Sequence, residues 1–535
     1  MVIRNPIIPG FNPDPSIVRV GDDFYIANSS FSYYPGLPVY HSRDLVSWEL
    51  SGYAFSRPSQ LTLTPDRISG GLFAPTIRWH DGLFYVIVVN VTTGFTYVVT
   101  AEHPSGEWSE PHILPAMFDP DIFWDDDGKC YIAYAASPTG DMHNHIMLRE
   151  LDTEKWEMTG EAHDLWGGAL VDAWCPEGPH IYKKDGWYYV LIAEGGTEHN
   201  HAVTIARSRN LFGPYEGNPA NPILTHRHLG NSHPICNVGH ADLVELCDGS
   251  WYMVFLGSRI YGGYHKNLGR ETFIAPVIWE EDWPKVSPET GKCEWEYPAP
   301  DLPEFRVERP CDTDDFDGDA LAGQWNFLGT PVNDVYRLKD GKLCLKAIAE
   351  PIRPASIKKR ERPSMGQPRA VEPRALAFVA RRQTDMSFEA RCAVEFAPVG
   401  AETCGIAVVQ EAFNGLRVEI GLENGQRVAR AVKYHATPMG TIFDAEIDAG
   451  EDVLGVCRLA DGPVTLEITA EGQDFSFYAA DKNGRTRLAA GVNGGFMGSE
   501  TAGGFVGAYV GMFCSGNGID SANEAAFDSF TYIGK

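Results

Sequence analysis

Five stretches of the chain repeat one pattern, and that repetition limits the fold more than any other feature. They are DPSIVRVGDDFYIANSS from Asp14, APTIRWHDGLFYVIVVN from Ala74, DPDIFWDDDGKCYIAYAAS from Asp119, GPHIYKKDGWYYVLIAEGG from Gly178 and HADLVELCDGSWYMVFLGS from His240. Their starts lie 45 to 62 residues apart, and four of them have proline in second place. Each reads as an apolar strand, a DG- or DD-type turn and an aromatic second strand, marked by Tyr25, Tyr85, Tyr131, Tyr189 and Tyr252. A β-meander repeated at this period predicts propeller blades, so the first part of the chain is expected to be a five-bladed β-propeller around a channel. In register, the first residues form a ring at one mouth: Asp14, Ala74, Asp119, Gly178 and His240, with Glu177 one place before Gly178. Proline after the ring site disfavours helix and biases the site toward extended backbone, so Asp14 in FNPDPSIV is expected to be held extended.

The 535 residues allow two to four domains. A stretch YPAPDLPEFRVERP ends the propeller, giving a catalytic domain over 1–310. Beyond it, SFEARCAVEF, LRVEIGLENGQRVARAVKY and VTLEITAEGQDFSFYAAD read as antiparallel strands of a β-sandwich over 311–535. The fold class is therefore all-β. Residues 351–382 hold nine Lys or Arg against two Glu and read as a long solvated loop.

A net charge of −28 disfavours nucleic acid or an anionic membrane as partner. The N-terminus MVIRNPIIPGFNPDP has no apolar signal-like region, and no apolar run is long enough to span a bilayer. Eleven cysteines without a CxxC pair do not form a secreted disulfide framework, so a cytoplasmic location is expected.

Three carboxylates crowded at one mouth cannot all keep ordinary pKa values, and such splitting is what acid/base catalysis uses. Glycoside hydrolysis needs one carboxylic acid to protonate the leaving oxygen and one carboxylate to activate water or attack the sugar. Asp121 competes with Asp119 in FDPDIF, but register with the other blades selects Asp119; Asp125, Asp126 and Asp127 fall at the hairpin turn. The histidines at 143, 145, 199, 201, 226, 228 and 233 lack zinc-ligand spacing with supporting cysteines and read as surface or loop residues.

The motifs NPDPSI, FDPDIFWDDDG, WCPEGPHIYKKDG, GHADLVE and LGRET, in this order, resemble glycoside hydrolase family 43, in particular its β-xylosidases with an appended C-terminal sandwich. The resemblance implies that Asp14 is the general base to water, Glu177 the general acid, and Asp119 the residue that tunes the acid and orients the sugar. It implies inversion and exo-acting release of xylose from β-1,4-xylooligosaccharides or arabinoxylan-derived chains, with α-L-arabinofuranosidase activity allowed in the same pocket. Phe31 and Phe73 match pocket-lining positions, Arg270 matches an arginine that reaches the sugar or the acid pair, and Phe505 lies in a loop of the concanavalin-like sandwich that helps close the pocket. Phe73 stands where better-known xylosidases carry tryptophan. His240 matches a histidine on the channel axis that holds water or contacts a cation. No cofactor is required, and calcium held through water is the metal to expect. A homo-oligomer is the expected assembly. The reading from another class, a catalytically silent carbohydrate-binding propeller, gains little from three mutually repelling acids.

Overall fold

The computed structural model describes the chain except residues 67, 138–142, 172, 332–333, 354–355, 358–370, 372–373, 375 and 437–446. Each repeat builds one antiparallel blade. The innermost strands are Ser16–Val20, Leu72–His80, Phe118–Trp124, Glu177–Lys184 and Ile235–Glu245, and each hydrogen-bonds to the strand that follows it. The five marker tyrosines all lie on those second strands. Asp81–Gly82 and Asp185–Gly186 turn with two successive positive φ values, 47° and 86°, and 50° and 74°, which suits the twist of a two-residue hairpin.

The ring is closed by the chain ends of the propeller. Val2–Arg4 pairs with Glu296–Pro298, and the Asn5 side chain donates to the carbonyls of Ile274 and Glu294, both at 2.9 Å. Below the mouth, two places along each innermost strand, lies a second buried ring of Ser16, Thr76, Asp121, His180 and Asp242. The equal offset follows from the two-residue side-chain period of a strand. Arg78 reaches in from the second blade and pairs with both Asp121 and Asp242 at 2.9 Å, neutralising two charges that would otherwise be buried alone. Asp121 is therefore a structural acid, as the register argument has it.

The sandwich consists of a nine-stranded and an eight-stranded sheet. The nine-stranded sheet ends in the propeller's own Tyr33–Tyr34, which pairs with Asn326–Leu328. Tyr33 stacks on Tyr509 of the sandwich with ring centroids 3.6 Å apart and planes 11° apart. One apolar core runs from Leu37, Val39 and Phe55 of the first blade to Phe327, Val379 and Val510 of the sandwich, so the two units fold against each other.

Two expectations fail here. Residues 351–382 are not one loop, because Phe378–Arg382 is a strand inside the nine-stranded sheet, with Arg382 buried and donating to the Phe11 carbonyl at 2.7 Å. The middle of that basic segment, including 358–370, lies outside the described residues. The ring residues are not extended either. Asp14, Ala74, Asp119, Gly178 and His240 have φ of 52°, 27°, 48°, 58° and 47°. Four of the five innermost strands carry a register shift beside the ring position, so the backbone kinks there and aims the site at the axis. Left-handed backbone costs about 1 to 2 kcal/mol for each non-glycine residue, and it is tolerated because the whole blade fixes it.

Candidate active site

Asp14 and Asp119 are buried at the mouth, Glu177 is half-buried, and the side chains of Asp119, Glu177 and His240 bring one polar atom each within 4.8 Å of one another. Asp14 stands beside them in a different setting. Arg270 donates to its Oδ1 at 2.9 Å, the Ser29 hydroxyl donates to its Oδ2 at 2.6 Å, and His240 Nδ1 lies 4.0 Å away. Burial pushes the Asp14 carboxyl up, but Arg270, His240 and Ser29 together outweigh it, and its pKa falls below the ordinary aspartate range. Glu177 moves the other way. Burial and then the Asp14 charge push its pKa up to about 8, with Arg270 opposing. Asp119 is also pushed well up, by burial and by the charges of Glu177 and Asp14. Near neutrality the site therefore holds one ionised carboxylate next to a pair of carboxyls that retain a proton.

The two histidines nearest these acids are neutral. Burial brings His240 down to about 4 and His201 to about 3. Gly178 explains how His240 fits: a Cβ at that position would sit 2.8 Å from His240 Cε1. Gly239 does the same for His201, whose ring lies 2.4 Å from where a Cβ would be. His201 thus departs from the surface reading, as does His226. Both are buried, with Nδ1 2.9 Å from the Asn237 carbonyl in one and 2.8 Å from the Ile235 carbonyl in the other.

The structure brings Phe31, Phe73 and Phe505 together. Phe31 and Phe73 lie with ring centroids 4.5 Å apart, and Phe505 closes the group at 6.4 Å from Phe31 and 6.1 Å from Phe73. Phe505 comes from the sandwich, and its amide donates to the Ser69 hydroxyl at 2.9 Å. Arg270 lies under this group, 5.6 Å from the Phe31 ring and 5.9 Å from the Phe505 ring, and also donates to the Phe505 carbonyl at 3.3 Å. One guanidinium thus ties Asp14 to the loop that bears Phe505.

Three partners escaped the sequence reading: Ser29, His201 and Thr197, whose hydroxyl takes an Arg270 hydrogen bond at 3.0 Å. The only available signal for the last two was the turn pair Gly195 and Gly196, both at positive φ, just before them.

Calcium takes six to eight oxygen ligands, whereas Asp119, Glu177 and His240 offer two carboxyls and a neutral imidazole. An ion held here would take most of its ligands from water, and the chemistry below uses none.

Comparison with known proteins agrees with this geometry. Residues 3–284 match Glycosyl hydrolases family 43, and residues 313–533 match the Beta xylosidase C-terminal Concanavalin A-like domain. The chain is 39% identical to a xylosidase/arabinosidase of Butyrivibrio fibrisolvens, with 99% of each covered. It is also 39% identical to a non-reducing end alpha-L-arabinofuranosidase of Bacteroides ovatus, over 99% of this chain and 94% of that one. A solved xylan beta-1,4-xylosidase from Bacillus halodurans C-125 superposes with a TM-score of 0.87 at 31% identity, over 99% of both chains. Five blades, a sandwich packed against them, two family matches that between them cover residues 3–284 and 313–533, and a relative 39% identical over 99% of the chain lead to one assignment: the chain belongs to glycosyl hydrolase family 43.

Proposed function

We propose that the protein is an exo-acting, inverting glycosidase that releases xylose from the non-reducing ends of β-1,4-xylooligosaccharides and accepts α-L-arabinofuranosides in the same pocket. The observation that carries this reading is the opposite displacement of Asp14 and Glu177. Ionised Asp14 takes a proton from a water whose oxygen bonds to the anomeric carbon. As the glycosidic carbon–oxygen bond breaks, protonated Glu177 gives its proton to the departing oxygen. Asp119, in reach of Glu177, keeps that proton from being lost early and orients the sugar. Phe31, Phe73 and Phe505 supply the apolar walls, and the sandwich loop bearing Phe505 closes one side, which suits a chain end.

The division of labour we propose is catalysis in 1–310 and closure of the pocket by 311–535. Location in the cytoplasm belongs to the same proposal, supported by eleven free cysteines, as does self-association, which is common among two-domain enzymes of this size.

Arabinofuranosidase activity is favoured by the Bacteroides ovatus relative and by Phe73, which leaves more room than tryptophan would. Steady-state rates on 4-nitrophenyl β-D-xylopyranoside and 4-nitrophenyl α-L-arabinofuranoside test the reading. Turnover of both is expected, and cleavage of the arabinoside alone would overturn the xylosidase assignment.

A further inference from the structure

The acid Glu177 is preceded by a short built loop that the mechanism above leaves unused. Its exposed tip carries Trp174 and Val171, 63% and 91% exposed. Trp174 is the most exposed tryptophan of the chain, ahead of Trp79 at 44% and Trp295 at 40%. Its ring stacks on no other aromatic side chain among the described residues. Leaving a large apolar ring in water forgoes burial that almost any other packing would gain, so its place beside the acid calls for a reason.

The loop's described residues are anchored on both sides of residue 172, which lies outside them. Glu194, buried at the end of the next strand, accepts the amides of Ala169 at 2.7 Å and Leu170 at 3.0 Å. The same carboxylate accepts the Thr204 hydroxyl at 2.5 Å. Gly168 lets the loop approach this anchor, since a Cβ there would lie 2.8 Å from the Glu194 carboxyl carbon. The Trp174 carbonyl accepts the Gly195 amide at 2.7 Å, which joins the loop to the segment whose Thr197 holds Arg270. The next residue, Cys175, has a positive φ of 50°, and its thiol is pushed up to about 12 by burial and then by the charges of Glu177 and Asp119. The Trp174 backbone is therefore tied down just ahead of the innermost strand that begins at Glu177, no more than about 11 Å along the chain from it.

Chemistry decides which sugar it meets. Glu177 protonates the glycosidic oxygen, so the leaving group must lie on the side of Glu177, away from Asp14 and the Phe31, Phe73 and Phe505 walls. Resting on the glycosidase reading above, we infer that Trp174 is the platform for the sugar of the leaving group and makes the enzyme selective for oligosaccharides over small aglycones.

The test compares xylotriose with β-D-xylopyranosyl fluoride, whose leaving group carries no sugar, in the full-length wild type and in Trp174→Ala and Trp174→Phe. Trp174→Ala is expected to lower kcat/KM on xylotriose about tenfold, equivalent to about 1.4 kcal/mol, while the fluoride rate stays within about twofold. Trp174→Phe should restore most of the loss. An equal fall on both substrates, or no fall on xylotriose, would overturn the platform role while leaving the glycosidase assignment intact. A wild type that cleaves neither substrate would overturn the xylosidase reading on which this inference rests.

Discussion

At the scale of single residues, the site works by giving two carboxyls opposite surroundings. Arg270 and Ser29 hold Asp14 ionised, whereas burial and the Asp14 charge keep Glu177 protonated up to about pH 8. The active form in the proposed mechanism has Asp14 without and Glu177 with its proton. Activity should therefore fall on the acid side only below the ordinary aspartate range, and on the alkaline side as pH rises through about 8. Because Asp119 and Glu177 titrate together, the alkaline limb belongs to the pair. Glu177→Gln should cost about 10²- to 10⁴-fold on xylobiose, far less on a nitrophenyl xyloside, and should abolish the alkaline limb. Equal losses on both substrates, with the limb retained, would contradict the acid role. The acids themselves were legible in the sequence because their residue type and register declare them. Ser29, Thr197 and His201 were not, since a hydroxyl or a histidine in a polar loop looks alike whether it is buried or solvated.

At the scale of elements, the repeated hairpins set the blades, and two of their DG turns, Asp81–Gly82 and Asp185–Gly186, fold with the paired positive φ that the dipeptide favours. What the local pattern could not show is the kink at each ring position. Proline biases its predecessor toward extended backbone, but the bulge beside the ring overrides that preference at Ala74, Asp119 and Gly178, and His240, which no proline follows, sits beside a bulge of its own. Gly178 is the position where this geometry admits no side chain, with φ 58° and His240 directly above. Gly178→Ala should lower stability by about 1 to 2 kcal/mol through the backbone alone. It should also reduce kcat/KM at least tenfold, on the order of what a small misplacement of site groups costs. Thermal melts paired with xyloside kinetics check both, and an unchanged kcat/KM would show that His240 does not shape the site.

At the scale of the whole molecule, propeller and sandwich share a sheet, a core and the pocket wall. Tyr33–Tyr34 lies within the first repeat and gives no sign in the sequence of pairing with residues nearly 300 positions away. Such a two-residue contact is fixed by tertiary packing, while the sandwich strands are readable from their own alternation. Residues 1–310 expressed alone should be insoluble or inactive, since the Tyr33 face would be left uncovered and the Phe505 wall would be missing. A soluble fragment with wild-type activity would contradict the shared core. The central claim concerns water: Asp14 activates it and the sugar's anomeric carbon inverts. Proton NMR of the purified protein acting on xylobiose, recorded before mutarotation, tests this directly. The account predicts α-xylose from the non-reducing unit as the first product, and β-xylose appearing first would mean retention and contradict the role of Asp14.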